Sequence, residues 1–440
     1  MRRFLTSHDS GSVSATALGL ANSTAGRVLA CTALLWLIAF ATFRQTLWRD
    51  PHTAFFQDDK VYDLGYSLVR QEQARSFVHD ADRGSPALLE IDRDRVGPPV
   101  VCAAVTTFKR DKQYLNETIG SMLVGLTPEE RSALDVRLLF AHAQPEKHPD
   151  WNATWLRSID LWSGYNVSKE QSGHLQELED QGNFYEKGVR DYMYTIQQCQ
   201  DSKAPYIAVF EDDIIFADGW LAKTLSGLAE LRHRGMGWLY MRLFYTETSL
   251  GWDETTDYWY RHMPLTFGLA MISGLVFLLV FRRLFRLRRG MDNLTVAVLV
   301  LIAIPAFTAL TFMAGKYNLR PIRGVVKMNK DGCCTQALVF PRAGRQFEGM
   351  MDMLSTRTGQ TDALIEEYAN TNHLDRWALG PQVVQHVGLV SSRNNLDVNT
   401  KSTWAFWFEA QRSDKLKTEH EMLARAGGIW REARRLEPST

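Results

Sequence analysis

Three consecutive carboxylates, Glu211, Asp212 and Asp213, stand between two runs of apolar residues. Residues 206–210 (YIAVF) precede them and two isoleucines follow, a pattern typical of a buried strand that ends in acids. Burying a charged carboxylate costs several kcal/mol unless a cation neutralises it. A divalent metal ion with oxygen ligands is the partner that this chemistry favours, although most acidic triplets are solvated loop faces.

The residues after the triplet strengthen the metal interpretation. Residues 217–220 (ADGW) follow it closely, and the whole stretch resembles the metal motif of nucleotide-sugar glycosyltransferases with the GT-A fold. That resemblance implies an α/β, Rossmann-like domain in which a metal ion binds the diphosphate of the sugar donor.

The strands that would position such a motif are visible as apolar runs. Residues 100–105 form a continuous apolar run, typical of a central parallel strand, and a helical pattern begins at residue 114. Thr106, Thr107 and Arg110 lie between the strand and the helix, at the edge where doubly wound sheets bind their ligands. Further strands are predicted at residues 136–141, 206–210, 238–244 and 332–340.

Three apolar segments, 28–43, 264–281 and 294–314, are predicted to cross a membrane. The first lacks a good cleavage site and is predicted to be an anchor. The connector at 282–293 contains five arginines, which places it on the cytoplasmic side and both flanking regions on the lumenal side. A pair of buried core helices is the alternative for segments two and three. The spans carry no ionisable residue inside, which argues against a channel or transporter.

The membrane segments define the predicted domain organisation. In chain order we predict a cytoplasmic tail at 1–27, a span at 28–43, a stem at 44–97, the first part of a lumenal domain at 98–263, a span at 264–281, a cytoplasmic loop at 282–293, a span at 294–314 and the second part of the domain at 315–440. Neither part has a complete set of strands, so the hairpin is predicted to interrupt one domain. The formal net charge of zero gives no indication of nucleic acid binding.

The cysteines allow a disulfide prediction. Cys31 lies in the first span, and the other four cysteines would be lumenal, where two bridges with three possible connectivities are allowed. We predict Cys102 with Cys199 and Cys333 with Cys334. A buried, unpaired Cys102 is the alternative.

Several segments resemble one enzyme family in their order along the chain. Residues 106–123, 186–199, 208–220 and 385–392 are similar to N-acetylglucosaminyltransferase IV. The segments RLFYTETSLGW, just before the hairpin, and GCCTQALVFP, just after it, are similar to the related Golgi enzymes that add N-acetylgalactosamine to GPI anchors. The resemblance covers roughly residues 98–410. It implies a manganese-dependent enzyme of the Golgi membrane, with UDP-GalNAc as the donor and GPI-anchored proteins as acceptors.

The resemblance also implies roles for individual residues. Asp213 is the best direct ligand for manganese, with Glu211 and His386 as further metal ligands. The candidates for donor binding are Thr106, Thr107, Arg110, Lys187, Asp191, Glu211, Asp212 and Thr335. Arg110, Lys187 and Asp191 could equally be surface charges, and His386 could be a hydrogen-bonded core residue.

An inverting transfer also needs a carboxylate that accepts the proton of the acceptor hydroxyl. Asp362 is the first choice for this base, and Glu366 and Glu247 are the main rivals, followed by Glu348 and Glu367. Asp362 stands at a predicted helix start, where a carboxylate can simply interact with the helix dipole.

Two other functions are compatible with the same patterns. The first is a transferase that adds GlcNAc or a hexose to N-glycans or to another lipid-linked glycan. The second is a membrane scaffold that has lost its activity. A domain tethered by three spans favours an acceptor held at the bilayer, because tethering raises the effective concentration of that acceptor.

Overall fold

A computed structural model of the chain describes residues 23–84, 98–234, 237–252, 254–286, 291–329, 332, 334–388 and 403–425. The chain divides into two compact units, one of Met1–Val61 with Asp253–Pro321 and one of Tyr62–Trp252 with Ile322–Thr440. Most of the predicted tail, Cys333 and residues 389–392 of the last resembling segment lie outside the described residues.

The described part of the larger unit contains ten strands. They are β1 (Val101–Thr107), β2 (Leu134–Phe140), β3 (Leu161–Ser163), β4 (Tyr206–Glu211), β5 (Ile214–Phe216), β6 (Trp238–Arg242), β7 (Gly324–Lys327), β8 (Ala337–Pro341), β9 (Asp375–Gly380) and β10 (Val384–His386). Eight of them form one sheet in the order β3-β2-β1-β4-β8-β6-β9-β7, and β5 pairs with β10 in a small second sheet.

The large sheet is mixed in direction. β1 pairs in parallel with both β2 and β4, and β2 pairs in parallel with β3. β8 is antiparallel to both of its neighbours, β4 and β6. β6 and β9 are parallel, so the carboxyl ends of β1, β2, β4, β6 and β9 lie at one edge. β8 comes from the chain after residue 321 yet lies between two strands that come before residue 253.

The helices follow in chain order. They are α1 (Thr24–Thr46), α2 (Tyr66–Asp82), α3 (Leu115–Leu123), α4 (Pro128–Ala133), α5 (Lys169–Asp180), α6 (Phe184–Gln198), α7 (Trp220–Arg234), α8 (Glu254–Arg261), α9 (Met263–Leu284), α10 (Asn293–Val298), α11 (Ile304–Ala314), α12 (Lys316–Leu319), α13 (Arg345–Thr356), α14 (Thr361–Thr371) and α15 (Ser413–Arg425). A π-helical turn, Leu299–Ala303, joins α10 to α11.

Helix α2 lies within the region predicted as a stem but is part of the larger unit. Its residues Tyr66, Ala74 and Val78 are buried, and it packs closely on α3. At the crossing, a Cβ on Gly120 would lie 2.6 Å from the carbonyl oxygen of Ala74, so only glycine permits this approach. The sequence predicts a polar, helix-prone stem that packs on the domain, and few of the buried residues of α2 are aliphatic.

The smaller unit contains three helical stretches that are long and apolar enough to cross a membrane, Thr24–Thr46, Met263–Leu284 and Asn293–Ala314. They fit a membrane protein. The indole Nε1 of Trp36 donates to the carbonyl oxygen of Ala306 at 3.0 Å, which ties the first stretch to the third. Gly274 lies against the side chain of Ile304, which brings the second stretch close to the third.

The predicted bridge between Cys102 and Cys199 is confirmed. It joins β1 to the short helical turn after α6, and both residues are fully buried. The alternative of an unpaired Cys102 is therefore wrong. The predicted bridge between Cys333 and Cys334 lies outside the described residues, because Cys333 does.

Candidate active site

The acidic triplet lies at the carboxyl edge of the large sheet, where β4 ends at Glu211. β1 runs parallel beside β4 with Thr106 opposite Glu211, so the turns after the two strands are neighbours. The chain then forms β5, which pairs with β10 so that Ile214 lies opposite His386. Two strand pairings therefore bring residues far apart in sequence next to the triplet.

Glu211, Asp213 and His386 form a cluster that could hold a metal ion. One ligand atom from each residue lies within 4.8 Å of the others, and Asp213 Oδ2 and His386 Nε2 are 3.4 Å apart. Two carboxylates and an imidazole are suitable ligands for a divalent first-row metal such as manganese. The structure thus brings together the three residues that the sequence proposed as metal ligands.

One oxygen of this cluster lacks a partner. Asp213 Oδ1 is buried, and no residue that the structure describes donates a hydrogen bond to it. A buried carboxylate oxygen without a partner costs free energy, and a metal ion would remove that cost. The residues present therefore fit a divalent cation.

Arg110 supplies the permanent positive charge of the site. Its Nη1 donates to Asp213 Oδ2 at 2.6 Å and its Nη2 donates to Asp212 Oδ1. Three carboxylates and one guanidinium leave a net charge of minus two when His386 is neutral, which one divalent cation would balance. The alternative that Arg110 is a solvated surface residue is excluded, because only 10 % of its side chain is exposed.

The pKa of Asp213 is lowered in the cluster, whereas the pKa values of Glu211 and His386 are raised. Burial alone would raise the pKa of Asp213, but His386 and Arg110 hold it well below its usual range. Desolvation, followed by the charge of Asp213, raises the pKa of Glu211. Burial lowers the pKa of His386, but the carboxylate of Asp213 outweighs it and raises the pKa. A cation at this site would therefore compete with a proton.

Asp212 faces away from the cluster and fixes the end of β1. Its Oδ2 accepts hydrogen bonds from Thr107 Oγ1 at 2.6 Å and from the backbone N–H of Phe108 at 3.1 Å. Thr107 Oγ1 also lies 3.2 Å from Nε2 of the buried His148. Burial lowers the pKa of His148 to about 4, so its ring is neutral at pH 7. Thr107 and Asp212 thus hold the end of β1 against the acidic turn.

Two residues that the sequence did not single out hold the acidic turn from either side. Thr118 of α3, which is fully buried, donates through Oγ1 to the carbonyl oxygens of Asp212 at 2.6 Å and Ile214 at 2.8 Å. On the other side, Gly388 lies so close that an added Cβ would be 2.0 Å from Asp213 Oδ2. The signal for Thr118 was a polar residue on an apolar helical face. For Gly388 it was a glycine two residues after the end of β10.

The residues just before β8 also contact the site. Thr335 Oγ1 donates to Glu211 Oε1 at 2.9 Å, and the preceding residue, Cys334, has a positive φ of 76°. Its backbone N–H donates to Asp362 Oδ2 at 3.1 Å, and its carbonyl oxygen accepts from Arg242. Asp362, at the start of α14, is half-buried. Cys334 and Thr335 are the two residues that link its carboxylate to Glu211 of the metal cluster.

The two main rivals of Asp362, Glu366 and Glu247, each accept hydrogen bonds from several donors. Glu366 accepts from Arg242 Nη2 at 3.0 Å, from Arg376 Nη1 at 2.8 Å and from the hydroxyl of Tyr240. Glu247 is fully buried and accepts from two backbone N–H groups, those of Phe406 and Trp407.

Lys187 and Asp191 form a buried ion pair on α6. Lys187 Nζ lies 2.9 Å from Asp191 Oδ2 and donates to the carbonyl oxygen of Ala141 at 2.8 Å. Tyr165 contacts both charged groups, and the ammonium lies 5.4 Å from the centre of the Phe108 ring. The alternative that both residues are surface charges is wrong, because they are 5 % and 2 % exposed. Their mutual charge compensation permits this burial.

Thr106 also points into the protein. Its Oγ1 lies 2.6 Å from Thr195 Oγ1, which in turn donates to the carbonyl oxygen of Asp191. This contact links β1 to α6, directly beside the Lys187–Asp191 pair. In the structure, Thr106 is therefore a packing residue at the edge of the site.

A family model matches more than half of the chain. The family is described as GPI-N-acetylgalactosamine transferase PGAP4, and the match covers residues 101–385. The matched range begins at β1 and ends within β10, so it includes the acidic triplet and all the strands beside it. It stops one residue before His386. A search of the curated proteins found no match.

Proposed function

This chain belongs to the family described as GPI-N-acetylgalactosamine transferase PGAP4 and is therefore a glycosyltransferase, and on this premise we propose its reaction. It transfers N-acetylgalactosamine from UDP-GalNAc to the mannose core of GPI anchors on proteins, with inversion at the anomeric carbon. The observation that carries the proposal is the cluster of Glu211, Asp213 and His386 at the carboxyl edge of the sheet.

The sheet supports a nucleotide donor and a GT-A fold. The first four strands of the large sheet run in parallel in the order β3-β2-β1-β4, the order of the nucleotide-binding half of doubly wound folds. Ligands of such sheets bind at the carboxyl ends of the strands. In this chain the metal cluster occupies that edge, between the turns after β1 and β4.

Manganese, held by Asp213, Glu211 and His386, would neutralise the negative charge that develops on the UDP leaving group. Arg110, whose guanidinium contacts Asp212 and Asp213, would bind a phosphate oxygen of the donor. Thr335 orients Glu211 through its hydroxyl, and Asp212 holds the turn after β1. Lys187 and Asp191 would support the wall of the nucleotide pocket through Phe108.

The geometry favours Asp362 as the base of the inverting transfer. Its carboxylate is half-buried and accepts hydrogen bonds from the backbone N–H groups of Cys334 and Ala363. Cys334 precedes Thr335, which donates to Glu211 of the cluster. Glu366 is engaged by two arginines, which would oppose its taking up a proton. Asp362 would accept the proton of the acceptor hydroxyl as the bond to the sugar forms.

We place the catalytic unit in the lumen of the Golgi apparatus. Three helical stretches fit membrane spans, and the connector between the second and third is basic, which favours a cytoplasmic position for it. The buried Cys102–Cys199 bridge is typical of proteins that fold in an oxidising compartment. Tethering at the membrane suits an acceptor that is itself anchored in the bilayer.

The proposal can be tested in cells that lack this gene. The cells are rescued with wild type, with Asp213→Ala or with Asp414→Ala, and the released GPI glycans are analysed by mass spectrometry. Asp414 is a matched control, because its side chain is 65 % exposed and pairs only with Arg412 among the described residues. We expect wild type and Asp414→Ala to restore a HexNAc side branch and Asp213→Ala to fail.

Two outcomes would contradict the proposal. If the GPI glycans are identical in all the cells, the acceptor is wrong, and N-glycans or other lipid-linked glycans become the substrates to examine. If Asp213→Ala restores the side branch fully, the metal cluster has no part in the reaction. A separate experiment, competition between UDP-GalNAc and UDP-GlcNAc in solubilised membranes, identifies the donor.

A further inference from the structure

Glu247 is a buried carboxylate outside the metal cluster. It is 0 % exposed and lies in the helical turn after β6. Its Oε2 accepts from the backbone N–H of Phe406 at 2.7 Å, and its Oε1 accepts from the N–H of Trp407 at 2.9 Å. The amide of Gln382 also donates to Oε1 at 2.6 Å. A buried carboxylate with three such donors fixes the backbone that provides them.

That backbone belongs to residues 403–411, here called the closing segment. The side-chain amide of Gln385 also holds this backbone. Its Nε2 donates to the carbonyl oxygen of Ala405 and its Oε1 accepts from the N–H of Ala405, both at 2.9 Å. Glu247 and Gln385 thus hold the backbone of three consecutive residues. The position of the closing segment follows from these contacts.

The closing segment contacts the metal cluster through His386. The carbonyl oxygen of Thr403 lies 3.1 Å from Nδ1 of His386, and Nε2 of the same ring lies 3.4 Å from Asp213 Oδ2. A carbonyl oxygen only accepts hydrogen bonds, so the nitrogen beside it must carry the proton. In the neutral ring, Nε2 then keeps its lone pair on the side of Asp213. This is how metal-binding histidines are oriented in proteins.

We propose that Glu247 is a positioning residue that sets the affinity of the cluster for its divalent cation. It fixes the closing segment, the carbonyl of Thr403 fixes the tautomer and the angle of the His386 ring, and the ring presents Nε2 to the cation. The inference rests on the proposed function in one respect, the metal ion. It gives Glu247 a role other than that of the general base, for which it was a rival of Asp362.

The two roles predict different measurements. Loss of a general base lowers the turnover number and leaves the binding of Mn²⁺ unchanged, because the base contacts the acceptor. Loss of a positioning residue weakens the binding of Mn²⁺ in the absence of both donor and acceptor. Binding of the metal alone therefore distinguishes the two roles without any assay of transfer.

The experiment uses the full-length protein in detergent and follows free Mn²⁺ by its EPR signal during titration. The variants are Asp213→Ala, Glu247→Gln, His386→Ala and the double variant Glu247→Gln/His386→Ala. We expect Glu247→Gln to raise the Kd for Mn²⁺ by about ten-fold, the lower end of the range for partners of metal ligands. In the His386→Ala background the same substitution should change the Kd by less than about two-fold, because its effect passes through His386.

Two controls separate positioning from loss of stability. Glu130→Gln alters another fully buried carboxylate that accepts a backbone N–H, that of Thr127, and should leave the Kd unchanged. Glu247→Asp keeps the charge but shortens the side chain, and it should give an intermediate Kd. It also tests the inference if Glu247→Gln fails to fold.

The results that overturn the inference differ from those that overturn the proposed function. An unchanged Kd in Glu247→Gln, or the same factor with and without His386, overturns the positioning role. A wild type that binds no Mn²⁺, or an Asp213→Ala variant that binds it as well as wild type, overturns the metal site itself and the inference with it.

Discussion

Gly388 lies directly against the carboxylate of Asp213, so that a Cβ built on Gly388 would stand 2.0 Å from Asp213 Oδ2. The backbone between them is fixed as well, because the N–H of Val387 donates to the carbonyl oxygen of Asp213 at 2.8 Å. Neither partner can move away freely. The absence of a side chain at residue 388 is therefore a condition for the geometry of the metal cluster.

This relationship predicts that Gly388→Ala inactivates the enzyme while leaving the fold intact. A displacement of about 1 Å at reacting groups costs about 100-fold in rate, and we expect a loss of this size in transfer by solubilised membranes. Gly173→Ala is the matched control, because Gly173 lies in α5 with nothing within 4 Å of an added Cβ. Equal activity of the two variants would show that Asp213 tolerates displacement.

Arg110 should oppose the metal and favour the donor. Its Nη1 lies 2.6 Å from Asp213 Oδ2, so Arg110→Met removes a positive charge beside the cation site and should tighten binding of Mn²⁺ about ten-fold. The same variant should bind UDP more weakly, since a phosphate contact is lost. EPR titration measures the first effect and calorimetry the second. Lys112→Met removes a cation that lies over the Tyr114 ring on the same loop and should change neither.

The Cys102–Cys199 bridge should contribute substantially to stability. It closes a loop with a sequence separation of 97 residues, and a loop of about this length corresponds to about 4 to 5 kcal/mol in the chain-entropy model. We expect the double variant Cys102→Ala/Cys199→Ala to unfold at a clearly lower temperature, measured by tryptophan fluorescence in detergent. Cys31→Ala, which alters an exposed cysteine in the first membrane stretch, should leave the unfolding temperature unchanged.

The proposed lumenal orientation predicts which glycosylation sequons are used. Asn152 and Asn166 are exposed in turns and loops of the larger unit. Asn116 lies in α3, and the threonine of its sequon, Thr118, is fully buried. We expect two shifts on treatment with a glycosidase, each lost in Asn152→Gln or Asn166→Gln, and no effect of Asn116→Gln. A chain without any shift would contradict the proposed orientation.

Stability should also depend on pH through His420 of α15. Its Nε2 lies 2.9 Å from the carboxylate of the fully buried Glu130, and this hydrogen bond raises the pKa of His420. Asp218 raises the pKa further and Arg70 lowers it. The protonated form therefore stabilises the folded state below the unfolded pKa of about 6.5, and this contribution is lost as the pH rises through the folded pKa.

We expect the unfolding temperature of wild type to fall relative to that of His420→Gln as the pH is raised from 6 to 8. The comparison between the two proteins removes the contributions of all other titrating groups. An identical pH dependence of wild type and variant would mean that protonation of His420 beside Glu130 does not stabilise the folded state.

The three members of the candidate metal cluster could be selected from sequence because each is marked locally. Glu211 and Asp213 follow an apolar run, and His386 stands in a segment that resembles a known family. The pairing of Cys102 with Cys199 was predicted correctly, although three connectivities were open. The local pattern locates the two carboxylates because strands end where apolar runs end.

The supports of the site could not be predicted in the same way. Gly388 and Thr118 act on the acidic turn through the packing of β10 and α3, and no pattern of spacing records such an approach. The burial of Lys187 and Asp191 depends on each being the partner of the other. The polar, helix-prone composition of 44–97 indicated a stem that packs on the domain, but the ion pair of the buried Arg70 with Asp218, far along the chain, could not be inferred from it.

The position of β8 in the sheet has a consequence for how the protein is made. β4 and β6 leave the ribosome first, and 94 residues separate the end of β6 from the start of β8, which fills the gap between them. At about 5 to 20 residues per second, both strands wait on the order of 5 to 20 seconds with an open edge. The two later membrane helices are synthesised within that interval.

In the topology proposed above, the sheet is completed only when the hairpin has entered the membrane and both parts of the unit lie on the same side of the bilayer. A hairpin that failed to insert would leave β4 and β6 with open edges, which are sites of aggregation. Membrane insertion and folding of the catalytic unit would then be checked in a single step, before the protein leaves the compartment where it is made.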